Sequence, residues 1–102
     1  MVSNRVLVCK VEELPEGESR RVLAEVESIA VFNVGGQYYA CSDACPHAGG
    51  PLHQGYIEGT RVACPWHGWS FELTPDPARP KDGVSRYTVT VSDGQLFVEL
   101  PN

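Results

Sequence analysis

The chain has 102 residues, enough for one domain and too few to make a second plausible. With 42% hydrophobic and 21% charged residues it reads as globular, and ten glycines with eight prolines favour short strands and many turns. A net charge of −5 argues against a polyanion such as DNA or RNA as partner, and no stretch has the apolar length needed to cross a membrane.

In chain order, Arg5 to Lys10 predicts an opening strand, followed by a polar turn at Leu14-Pro15-Glu16-Gly17. Arg21 to Val26 and Ile29 to Val34 predict two further strands rich in β-branched residues. Gly35-Gly36 is a hairpin signal, and Gln37 to Cys41 is the returning strand. From Ser42 the texture changes. Cys45-Pro46-His47-Ala48-Gly49-Gly50-Pro51 suits neither helix nor central strand. Glu58-Gly59-Thr60 marks a tight turn, and Arg61 to Ala63 predicts a short strand running into Cys64-Pro65-Trp66-His67-Gly68. Ser70 to Leu73 resumes extended structure, and Thr74 to Pro80 is a proline-rich loop. The C-terminus predicts a hairpin: Tyr87 to Val91, a turn at Asp93-Gly94, and Gln95 to Leu100. No segment carries a helical period over three turns. The expectation is a single mostly antiparallel β domain over residues 1–102, with two metal-type loops inserted at about 41–73.

The first ten residues lack a basic segment leading into an apolar run, so the expected compartment is the cytoplasm. Four cysteines there suggest metal ligation for at least some, ahead of disulfides. Cys45-x-His47 and Cys64-x-x-His67 are separated by the sixteen residues from Ala48 to Ala63, and each offers one thiolate and one imidazole. That donor set suits zinc or iron, and both loops follow strands, so a sheet can hold them face to face. Ligand count leaves zinc and a binuclear iron cluster both open. Spacing separates them in part: zinc fingers usually pair cysteine with cysteine and histidine with histidine, whereas each motif here mixes the two types.

Cys45-Pro46-His47-Ala48-Gly49-Gly50-Pro51-Leu52 and Cys64-Pro65-Trp66-His67-Gly68-Trp69-Ser70-Phe71 resemble the two cluster-binding boxes of Rieske [2Fe–2S] ferredoxins. The resemblance extends to the box spacing, the flanking strands, the proline-rich loop and the chain length. It implies an all-β Rieske-like sandwich or barrel with a small cluster-binding subdomain. It also implies one [2Fe–2S] cluster, with Cys45 and Cys64 on one iron and His47 and His67 on the other. Two ferric ions, two sulfides and two thiolates sum to zero charge, so the reduction potential lies above that of an all-cysteine cluster, within about −150 to +300 mV. High-potential relatives carry a serine and a tyrosine where this chain has Trp69 and Phe71, and an extra cysteine in each box where it has Gly50 and Trp66. The expectation is a potential near the bottom of the span.

The remaining residues carry blander expectations. Cys9 and Cys41 read as small buried strand residues, although Cys41 lies close enough to Cys45 to be considered a fifth ligand. His53 reads as a solvated loop histidine, Trp66 and Trp69 as bulky cover over the cluster, and Glu12, Glu13, Glu16 and Glu18 as solvated surface. The resemblance also touches oxygenase subunits with a mononuclear iron, but with His47 and His67 committed only His53 is left for a second site. That excludes a complete oxygenase, and the resemblance implies the role commonest for stand-alone members of the family, an electron shuttle between a flavin-dependent reductase and a terminal oxygenase. The alternatives are the small subunit of an NAD(P)H-dependent nitrite reductase and a zinc-stabilised interaction domain.

Overall fold

A computed structural model describes residues 4–24, 27–46, 49–66, 69–74 and 83–100. They contain nine strands and no α-helix. The strands are β1 (Asn4–Lys10), β2 (Ser19–Ala24), β3 (Glu27–Val34), β4 (Gln37–Ser42), β5 (Tyr56–Glu58), β6 (Arg61–Ala63), β7 (Ser70–Glu72), β8 (Arg86–Ser92) and β9 (Gln95–Leu100). Single 3-10 turns lie at Val11–Glu13 and Leu52–Gln54.

Six strands form one antiparallel sheet in the order β1-β9-β8-β4-β3-β2, and β5-β6-β7 form a second. The edge strands β1 and β2 approach each other, so the larger sheet curls toward a closed barrel. No helix among the described residues is long and apolar enough to cross a membrane.

Strand β3 explains how the two sheets share one body. Its five consecutive residues from Ile29 to Asn33 are all buried, which requires cover on both faces. Because side chains alternate along a strand, Ile29 and Val31 point one way and Ala30 and Phe32 the other. The first pair joins Cys9, Leu14, Ala24, Ala40, Leu96 and Val98 inside the curled sheet. The second joins Cys41, Cys45, Leu52, Val62, Cys64, Phe71, Leu73 and Val84 beneath the smaller sheet. One strand therefore separates two cores.

The all-β expectation holds, with small shifts. Strand β2 begins two residues before the predicted Arg21, and the predicted end at Glu25 and Val26 lies outside the described residues. Strand β5 has no counterpart among the predicted elements. The proline-rich stretch is described only at Thr74, its remainder from Pro75 to Pro80 lying outside the described residues.

Candidate metal centre

Both cysteine–histidine loops are tips of antiparallel hairpins, and their cysteines occupy the same station. In the first, Ala44 bridges to Pro51, and the Cys45 N–H donates to the Gly50 carbonyl at 2.8 Å. In the second, β6 and β7 pair through Ala63 and Ser70, and the Cys64 N–H donates to the Trp69 carbonyl at 2.6 Å. Each cysteine thus makes the last backbone rung before its tip, bonding to the carbonyl five residues on. His47 and His67, two and three residues further along the sequence, lie outside the described residues.

The tips meet. A Cβ placed on Gly50 would lie 2.8 Å from Cys64 Sγ and 3.1 Å from two ring atoms of Trp66, so the rung that closes the first tip backs directly onto the thiol of the second. Only a glycine fits that approach. A second close contact lies lower: a Cβ on Gly55 would collide with the Ala63 carbonyl, the residue before Cys64. Both thiols are buried in one core, and none of the chain's four cysteines is disulfide-bonded.

The surroundings hold this pair of tips to the larger sheet. The Arg86 guanidinium on β8 donates from Nε and Nη2 to the Glu72 carbonyl at 3.0 and 2.6 Å, and from Nη1 to the Val84 carbonyl at 2.9 Å. It thereby fastens β7 to the strand that carries it. The Glu72 side chain accepts from the hydroxyls of Thr60 and Thr74 and faces Arg61 at 3.6 Å. The Thr60 hydrogen bond chiefly, with Thr74 and Arg61 adding, holds the Glu72 carboxyl below the ordinary carboxylate range. A Cβ on Gly83 would meet the Pro46 ring at 2.7 Å, so the chain just before β8 packs against the first tip.

The other residues singled out in the sequence separate cleanly. Cys9 and Cys41 are buried strand residues as expected, but on opposite sides of the partition: Cys9 in the barrel core, Cys41 in the core with Cys45 and Cys64. Trp66 and Trp69 are 59% and 52% exposed, so they rim the second tip more than they roof it. The four glutamates are exposed. His53 corrects its expectation: it is not a freely solvated loop residue. Its ring Nδ1 lies 2.9 Å from the buried Asp43 carboxylate, whose Oδ1 also accepts the His53 backbone N–H at 2.8 Å. The partner is ten residues away and comes into reach only when the first tip closes, so no local pattern around His53 announces it.

Two buried thiols at the roots of facing tips, each followed by a histidine two or three residues on, offer a thiolate and imidazole donor set for iron or zinc. Similarity decides between these metals. The family model describing the Rieske [2Fe-2S] domain matches residues 4–94. The 3-phenylpropionate/cinnamic acid dioxygenase ferredoxin subunit of Shigella flexneri is 40% identical, the alignment covering 96% of this chain and 95% of the relative. Among solved structures, the ferredoxin of Sphingomonas yanoikuyae B1 superposes with a TM-score of 0.79 at 31% identity, covering 96% of this chain and all of that one. A Mycobacterium tuberculosis protein proposed to be an NADH-dependent nitrite reductase small subunit reaches a TM-score of 0.84 over 100% and 99% of the two chains, but at 20% identity it shows the shared fold alone. With that fold, and with a [2Fe–2S] cluster as its cofactor, the chain belongs to the Rieske [2Fe-2S] domain family.

Proposed function

We propose that this chain is the ferredoxin of a multicomponent oxygenase, binding its cluster through Cys45 and Cys64 on one iron and His47 and His67 on the other. It receives electrons from a flavin-dependent reductase and delivers them to a terminal oxygenase. When bound, the cluster supplies one-electron chemistry. The chain's residues supply the rest. Cys45 and Cys64 present their sulfurs from two hydrogen-bonded hairpin roots, and the apolar side chains of Leu52, Val62, Phe71 and Leu73 keep water from behind them. Trp66 and Trp69, with Tyr56 68% exposed on the strand that pairs with Ala63, give the same end of the molecule an apolar rim suited to a transient partner.

The single observation that carries the reading is the Gly50 approach to Cys64, which places the two tips against each other without any room for a side chain between them. The ferredoxin identity of the dioxygenase relative supports the carrier role over autonomous catalysis. We further propose a low potential. Trp69 and Phe71 have no hydroxyl to donate to a cluster sulfur, and such donors raise the potential by stabilising the added negative charge.

Reconstitution tests the role. The iron-loaded chain, added to a flavin-dependent NADH reductase and an aromatic-ring oxygenase, is expected to restore substrate-dependent NADH consumption. Failure to carry electrons to any oxygenase, with co-purification of a large sirohaem subunit from the native host, would replace this reading with the nitrite reductase one. A redox titration is expected to fall near the lower end of the family span of about −150 to +300 mV; a midpoint near the upper end would remove the low-potential part.

A further inference from the structure

The neck of the first tip is closed by a carboxylate–imidazole pair as well as by backbone. Asp43 is buried and stands two residues before Cys45, so their Cα atoms are at most about 7 Å apart. Its carboxylate accepts from the His53 N–H at 2.8 Å and from His53 Nδ1, at 2.9 Å to one oxygen and 3.1 Å to the other. A carboxylate only accepts, so the ring proton sits on Nδ1. Both partners are tied outward as well. The Asp43 N–H donates to the Ser28 carbonyl on β3 at 2.9 Å, the Asp43 carbonyl accepts from Leu52, and the His53 carbonyl accepts from the Ser19 hydroxyl on β2.

A neutral side chain could close such a neck. A buried carboxylate is costly to desolvate and persists where donors compensate it. Its negative charge beside Cys45 disfavours adding an electron nearby, and the Nδ1–H directed at it offsets that field. We propose that Asp43 and His53 are a positioning pair that sets the electron affinity of the cluster, Asp43 lowering it and His53 restoring part of it. The proposal rests on the reading of Cys45 as a cluster ligand.

The test uses iron-loaded protein, with potentials from spectroelectrochemical titration and the cluster monitored by EPR. Asp43→Asn keeps the shape and removes the charge, and is expected to raise the potential. His53→Ala removes the donor and is expected to lower it. His53→Asn, whose side-chain amide nitrogen falls close to the place of Nδ1, is expected to return it to the parent value. A purely structural neck would lower the melting temperature of the variants while leaving the potentials alone, or would move Asp43→Asn and His53→Ala in the same direction; either result overturns the proposal. Should Asp43→Asn lose its cluster, the histidine variants decide. A fall in His53→Ala with recovery in His53→Asn supports the pair, as does a cluster lost from the first and kept by the second. An unchanged or raised potential in His53→Ala, or a cluster lost from both, refutes it. Retention of the parent EPR signal in Cys45→Ser would instead remove the underlying ligand assignment, a separate outcome from any of these.

Discussion

The two cores on either side of β3 are built from similar residues and are held together differently. The barrel core gathers Leu14, Ile29, Val31, Leu96 and Val98 under strands of six to eight residues that pair along most of their length. The smaller sheet has three strands of three residues each, and two of the buried members of its core are Cys45 and Cys64. A sheet of that size is marginal alone, so packing on β3 and, on the proposed ligand assignment, metal ligation supply what its strands do not. The comparison teaches that one half of this protein is a scaffold built from long paired strands, whereas the other, on the proposed ligand assignment, is a site whose stability and cofactor are coupled.

The largest expected break in that comparison is Cys64→Ser. Iron content should fall to the background level while the far-UV circular dichroism of the barrel persists. A full complement of iron in this variant would contradict the assignment of the second tip. Removing iron from the parent protein by chelation under reducing conditions comes next. Amide exchange should then accelerate in β5 to β7 and leave β3, β8 and β9 protected. Uniform loss of protection would show that the two halves unfold as one.

Gly50→Ala should have an intermediate effect. The added methyl meets Cys64 Sγ at 2.8 Å, and although the exposed Trp66 ring can swing aside, the sulfur cannot move without leaving its station. Overpacking of this kind costs about 1 to 3 kcal/mol, and here it should appear as weakened iron incorporation together with a lower melting temperature. Normal loading would mean that the tips are not held this close.

The smallest effect sharpens the scaffold side. Tyr87 pairs with Ala40 where β8 crosses to β4, and burial chiefly, with the Glu27 carboxylate adding, raises its phenol from 10.0 to about 12. The unfolded chain releases that proton near pH 10 and the folded chain retains it to about pH 12, so stability declines across this window. Tyr87→Phe should flatten the alkaline decline in melting temperature without altering the cluster spectrum. An unchanged slope would show that Tyr87 does not titrate as its surroundings imply.

Much of this was legible in the sequence because it is local. The two boxes carry their own spacing, the Gly35-Gly36 and Asp93-Gly94 turns punctuate their hairpins, and the β-branched run from Ile29 to Val34 marks a strand, although its burial on both faces shows only in the structure. What escaped is what depends on distant residues. Tyr56–Glu58 is too short for a period to show, and it becomes a strand only by pairing with Arg61–Ala63. His53 looks like surface until the closure of its loop brings Asp43 beneath it and Ser19 beside it. The pairing of β1 with β9, which joins the two ends of the chain, likewise has no local signature.

Pulsed EPR of the dithionite-reduced protein, prepared once with natural histidine and once with 15N-histidine, probes the ligand set most directly. Two imidazole nitrogens coupled to a single reduced [2Fe–2S] centre, both changing with the label and one disappearing in His67→Cys, are the predicted result. A centre without nitrogen coupling, or a colourless protein carrying zinc, would contradict it.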